Sequence, residues 1–177
     1  FCGQFNERKN PLFFAKIAIE LNKCRSGFQV LLIGTGPLKK QCITELEMNN
    51  IQYYDAGFVQ PDEIIALYQS AKVFIFPTSL DPWGLVTNEA LAAGLPVLVS
   101  SVAGVANELV KNGYNGFVFD NFNLNQWIEK IKILLEDDNL YKHMSVNAVK
   151  SIEEYTHEAA AIGIYKAAKF AAIQNYK

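Results

Sequence analysis

Long apolar runs are missing from this sequence. None approaches the ~20 residues that span a bilayer, and no N-terminal stretch has the layout of a secretory signal, so neither membrane insertion nor secretion is expected. Cysteine is scarce: Cys2, Cys24 and Cys42 are odd in number and fit no zinc spacing. A disulfide framework is therefore excluded, and the three read as buried or half-buried thiols in the reducing, cytoplasmic compartment. Histidine is limited to His143 and His157, both on late predicted helices, where they read as surface or structural residues. No His, Asp or Cys cluster has ligand spacing, so neither a metal nor a cofactor is expected. A basic excess is absent too. Lys and Arg number 16 against 18 Asp and Glu, a net charge of −2, which argues against a nucleic-acid partner. A small anion is not excluded, because it needs only a few N–H groups and one or two cations.

What is present is an ordinary globular composition: 177 residues, half of them apolar and 19% charged. One domain over residues 1–177 is expected. Strands are predicted at 1–5, 29–33, 51–54, 73–76, 96–100 and 116–119. Between and after them helices are predicted at 11–22, from the turn at 34–37 to about 49, at 62–70, 85–93, 105–110, 124–136, 140–152 and from 157 to 175, the last capped by Thr156. The strands at 30–33, 73–76 and 97–99 are continuous apolar runs, the pattern of strands buried on both faces. The reading is an α/β fold: a doubly wound, mainly parallel six-stranded sheet of order 3-2-1-4-5-6, flanked by helices. Phe1 begins inside the first strand, so a fragment of a longer protein is expected. Phe13, Phe14, Tyr53, Tyr54, Phe74 and Phe76 are core candidates.

Ligands in such folds bind beyond the carboxyl ends of the strands. The segment Pro77 to Glu89 holds the densest chemistry there. A buried strand ends, the chain turns at Pro82 and Gly84, and a helix begins at Leu85. The first N–H groups of a helix have no internal partner, its dipole adds positive potential, and glycine lets an anion approach the backbone. These features make a phosphate site. Asp81 and Glu89 flank it, two acceptors for a ligand rich in hydroxyls at both ends; alone, either would read as a turn cap or a solvated helix charge. Trp83 sits on the same loop, placed to wall a ligand pocket. Gly34-Thr35-Gly36 follows a strand and precedes a helix, but no third glycine allows close helix packing. It reads as a tight turn lining the cleft, not as a dehydrogenase fingerprint.

The run Asp81-Pro82-Trp83-Gly84-Leu85, then three residues, then Glu89, resembles the signature of retaining glycosyltransferases with two Rossmann-like domains (the GT-B fold, glycosyltransferase group 1, family 4). The family pattern is Glu-Gly-Phe-Gly-Leu, three residues, Glu. Ala90 to Val97, Gly34 to Leu38, Gly57-Phe58-Val59, and Glu108-Leu109-Val110 followed by Asn115-Gly116 are similar in order and spacing, so the resemblance covers nearly the whole chain. It implies the C-terminal donor-binding half of such an enzyme, with an N-terminal acceptor half outside the chain. Glu89 would hold the ribose hydroxyls of a uridine or guanosine diphosphate sugar. The N–H groups of Leu85 and Val86 and the Thr87 hydroxyl would hold the diphosphate, Asp81 the transferred sugar, and Phe58 and Val59 the base. Lys9 matches the family's diphosphate lysine in the first loop, beside Gly3, Gln4 and Arg8. Asp81 stands where the family has glutamate, and Gln4 where it often has an arginine fork; Arg8 is the neighbouring charge that could compensate.

The resemblance implies hexosyl transfer in polysaccharide biosynthesis, in the cytoplasm, with peripheral membrane association through the other half. Two alternatives stand beside it: a non-catalytic module derived from a transferase, and a sugar-nucleotide epimerase of related fold.

Overall fold

A computed structural model describes residues 1–120 and 122–174. The chain runs α1 (Pro11–Cys24), β1 (Val30–Ile33), α2 (Lys39–Met48), β2 (Tyr53–Gly57), α3 (Pro61–Gln69), β3 (Phe74–Phe76), α4 (Leu85–Ala92), β4 (Val97–Ser100), β5 (Gly116–Phe119), α5 (Leu124–Glu136), α6 (Asp138–Ile152) and α7 (His157–Gln174). The predicted helix end at Asn175 lies outside the described residues. All strand pairs are parallel: β1 with β2, and β3 with β4 with β5.

The sheet is covered on both faces, and the strand period explains how. Val97 and Val99 pack with Ala90 and Leu91 of α4 and Ala148 of α6. Leu98, between them, points into a second cluster with Ile17 and Leu21 of α1 and Trp127, Ile131 and Leu134 of α5. Successive strand residues point to opposite faces, so a strand buried at every position needs a helical layer on each side. A third cluster joins Val30 and Leu32 of β1 to Phe14 of α1 and Leu46 of α2. This is a parallel α/β architecture with helices on both faces, as the sequence pattern predicts.

The strand count differs from expectation. Among the described residues the sheet is a pair and a triple, not six strands. Residues 1–5 run beside β1 but form only an isolated parallel bridge, Cys2 with Ile33. Gly3 N–H donates to the Ile33 carbonyl at 3.0 Å, and its φ of +138° takes the chain out of extended geometry. No ladder then reaches β3; side chains of Cys2, Tyr68 and Phe74 cross the seam instead. A cavity of about 610 Å³ lies there, lined by Phe1, Leu31, Ile33, Phe74 and Ile75 among others. The backbone nitrogen of Phe1 donates to the Leu31 carbonyl at 2.9 Å.

Three other expectations need correction. No helix forms at 105–110; Asn107 is left-handed at φ +63°, and the segment closes as a turn with an Ala106–Val110 bridge. Tyr54 is 55% exposed, because β2 lies at the edge of its pair. Cys24 is exposed at the end of α1, while Cys2 and Cys42 are buried. Burial pushes the Cys2 thiol up and the Cys42 thiol to about 11, which removes the reactive thiolate. Of these three residues, only Cys24 is therefore expected to be alkylated rapidly in the folded protein. Mass-spectrometric mapping before and after denaturation checks this, and rapid native labelling at Cys42 would contradict it.

Candidate functional site

The carboxyl ends of the strands converge on one cleft. Gly34 follows β1, and Phe58 and Val59 follow β2. The loop 77–84 follows β3, and the turn 101–106 follows β4. Gly34 N–H donates to the Gly57 carbonyl at 2.6 Å. Gly34 also lies against Gly3, where any Cβ would collide with the Gly3 carbonyl. Only glycine allows the two turns to close on one another.

The first loop is fastened to the third. The Arg8 carbonyl accepts from Ser79 N–H at 2.7 Å and from the Thr78 hydroxyl at 2.7 Å. The Ser79 hydroxyl reaches the Glu7 carbonyl at 2.9 Å, and Ser100 donates to the Thr78 carbonyl. This anchorage aims Lys9. Its side chain passes over Gly3, its ammonium lies 4.8 Å from the centre of the Phe76 ring, and it forms an ion pair with Asp81. The two groups are 13% and 9% exposed. Asp81 also accepts from Trp83 N–H at 3.1 Å. Lys9 and Asp81, 72 positions apart in the sequence, thus meet as a well-buried pair. Gln4 and Arg8, on the same loop as Lys9, are exposed. Gln4 accepts from Asn6, and an open cleft of about 420 Å³ runs between Asn6, Glu7, Arg8, Pro37 and Leu38.

Gly84 is the N-cap of α4, at φ +102° with no side-chain cap. The N–H groups of Leu85 and Val86 therefore open α4 with no carbonyl one turn earlier to receive them. Thr87 is fully buried, and its hydroxyl has no hydrogen-bond partner; it lies beneath Gly84, 3.5 Å from where a Cβ there would sit. Such an orphan is uncommon in a native fold. Glu89, half-buried one turn on, accepts from the Tyr68 hydroxyl at 3.0 Å. Trp83 is half-buried, donates from its indole to Asn88 at 2.9 Å and lies 6.1 Å from Tyr155. Phe58 is 71% exposed and Val59 half-buried, both at the rim.

Two contributors escaped the sequence reading. Gly104 packs so closely under Pro82 that a Cβ would strike its carbonyl, and Gly104 N–H donates to the Asp81 carbonyl at 3.0 Å. A glycine four residues past a fully buried strand was the available signal. Tyr68 gave none, since its partner lies on another helix. Asn115, by contrast, is a structural tie: buried, it donates to the Leu109 carbonyl and to Ser151. Among the described residues no group of three His, Cys, Asp or Glu could hold a metal ion.

Comparison with known proteins gives a consistent answer. A 28% identical relative over 140 residues is an uncharacterized glycosyltransferase of Methanocaldococcus jannaschii, MJ1178; the match covers 78% of this chain and 40% of that protein. The sulfoquinovosyl transferase SQD2 of Arabidopsis thaliana is 29% identical over 164 residues, 92% of this chain and 31% of the relative. The chain thus spans well under half of the curated relatives it matches. Among solved structures, the pneumococcal O-GlcNAc transferase GtfA, crystallised with UDP and GlcNAc, superposes with a TM-score of 0.83 at 16% identity, over 95% of this chain and 34% of that one. Residues 1–151 match the family described as glycosyl transferases group 1, and the chain belongs to that family.

Proposed function

We propose that this domain binds the nucleotide-sugar donor of a hexosyl transfer that retains anomeric configuration. The observation that carries the reading is the convergence of Lys9 and Asp81 with the glycine-capped start of α4. When the bond from the anomeric carbon to the diphosphate breaks, negative charge grows on the departing oxygens. Lys9 and the N–H groups of Leu85 and Val86 are preorganised donors for that charge, the arrangement that accelerates such steps most. The unpartnered Thr87 hydroxyl adds a donor if the diphosphate settles over Gly84. Asp81 takes hydroxyls of the transferred sugar, and Trp83 borders them. Glu89 takes the ribose, and Phe58 and Val59 face the base. Gly3, Gly34 and Gln4 line the entrance, and Arg8 supplies the backbone that holds Lys9 in place.

The carrier is a uridine or guanosine diphosphate; that a structural neighbour was solved with UDP and GlcNAc supports a nucleotide-sugar donor without choosing between the two. An acceptor domain closing over this cleft belongs to the same reading, as does a cytoplasmic enzyme that meets the membrane's inner face through that domain.

Calorimetric titration of the intact protein with uridine and guanosine diphosphates and their sugars tests the proposal. Glu89→Ala is expected to weaken the bare diphosphate and the full donor alike, by the 1.5–3 kcal/mol typical of a hydrogen bond to a charged group, or roughly 10- to 150-fold. A protein that binds none of these ligands would refute the reading. So would a Glu89→Ala variant that binds them as wild type does.

A further inference from the structure

Behind Glu89 stands a buried phenol with no part in the reaction just described. Tyr68 of α3 is 2% exposed, and its ring packs edge-on against Phe74 at 5.7 Å. Its hydroxyl donates to Oε2 of Glu89 at 3.0 Å, a contact that ties α3 to α4. Cys2 belongs to the same buried cluster as this ring. Burial first, then Cys2 and Glu89, hold the phenol far above its ordinary pKa. It therefore stays a neutral donor across the working pH range.

A glutamate on a helix surface has three side-chain torsions and would sample several rotamers. Its carboxylate offers two oxygens and about four acceptor sites. One donor from α3 restrains the carboxylate and uses a single site, which leaves its remaining acceptor sites for a ligand. Two fixed acceptor directions suit two adjacent hydroxyls better than one.

We propose that Tyr68 is a positioning residue that locks the Glu89 carboxylate against the vicinal hydroxyls of the ligand's pentose, so that the site distinguishes ribonucleotides from 2′-deoxyribonucleotides. This rests on the reading of Glu89 as the ribose acceptor. Tyr68 touches no ligand; it acts by removing the rotamer freedom that Glu89 would otherwise lose on binding.

The test is calorimetry of the intact protein with uridine and guanosine diphosphates and their 2′-deoxy forms. Tyr68→Phe keeps the ring and its packing. It is expected to weaken the ribonucleotide roughly tenfold, the lower range for a hydrogen bond to a charged group, and the deoxy form much less, so the preference for ribose shrinks. In steady-state kinetics KM for the donor rises and kcat changes little. In a Glu89→Ala background Tyr68→Phe should have no further effect. Glu89→Gln, which still accepts from Tyr68, should keep more of the ribose preference than Glu89→Ala. If Glu89→Ala weakens binding while Tyr68→Phe leaves the ribose preference intact, Tyr68 is a packing residue and the inference fails alone. If Glu89→Ala binds normally, the ribose reading and this inference fall together. Should Tyr68→Phe be unstable, equal losses in the Gln and Ala variants of Glu89 overturn the inference without it.

Discussion

Gly84→Ala is expected to abolish nucleotide binding and to destabilise the fold. Two independent physical terms act at this residue. The φ of +102° is one that L side chains rarely adopt, and forcing a non-glycine residue there costs roughly 1–3 kcal/mol. A Cβ would also sit 2.8 Å from Cε1 of Phe76, inside contact distance, and overpacking of this kind adds roughly 1–3 kcal/mol. The Phe76 ring is also the surface beneath the Lys9 ammonium. A displaced ring therefore moves the cation as well as the start of α4, and both halves of the diphosphate grip are lost together. At ~2–4 °C per kcal/mol for a chain of this size, the melting temperature should fall by roughly 4–24 °C. Gly113 is the control. It too has a positive φ, +74°, but a Cβ there meets nothing within 4 Å. Gly113→Ala should show a backbone penalty without loss of nucleotide affinity. Thermal melts and calorimetry of both variants separate strain from collision. If Gly84→Ala binds nucleotide as well as Gly113→Ala does, α4 is not where the diphosphate sits.

Local chemistry made Gly84 legible before any coordinates. A buried apolar run, a proline and glycine turn and a helix start are written within a dozen neighbouring residues, and the structure builds α4 from Leu85 as expected. The same holds for β1, β3 and β4, whose apolar runs report burial on both faces. Less legible were features fixed by distant neighbours. The segment 1–5 is apolar enough for a strand, but a strand needs partners on its edges, and Gly3 turns it away after one bridge. Residues 105–110 have helical composition, yet Asn107 settles left-handed because the turn packs against the 81–83 loop, with Val105 N–H bonded to the Trp83 carbonyl. Within the site, Lys9 and Asp81 could each be named from the resemblance. That they touch each other could not, since nothing in a one-dimensional pattern encodes a contact across 72 positions. Tyr68 was hidden for the same reason: on α3 it reads as one more apolar-face residue, and only the approach of α4 gives its hydroxyl a task.

The Lys9–Asp81 pair yields the largest expected effect on turnover. Two well-buried opposite charges hold one another without a ligand, so an arriving diphosphate must draw the ammonium from a carboxylate that competes for it. Asp81→Asn removes the competitor but keeps the shape and the acceptor for Trp83 N–H. Affinity for a bare nucleoside diphosphate should then rise by up to about tenfold, equivalent to one charge-assisted bond of ~1.5 kcal/mol. Turnover of the full donor should fall by ~10²-fold, because the sugar loses its positioning group. Lys9→Ala should behave differently. It removes a donor to the leaving diphosphate, worth ~10²–10³ in kcat, and strands the Asp81 carboxylate in a buried site, at roughly 3–5 kcal/mol of stability. The double variant Lys9→Ala/Asp81→Asn discriminates between these roles. With no stranded charge it should regain much of the stability lost in Lys9→Ala, while its turnover stays as low as that of the single lysine variant. Melting curves, diphosphate calorimetry and steady-state kinetics on the intact enzyme provide the readouts. Turnover restored along with stability in the double variant would mean that Lys9 serves only to neutralise Asp81. Diphosphate affinity that falls in Asp81→Asn would mean that Asp81 holds the lysine in position for the ligand and does not compete with it.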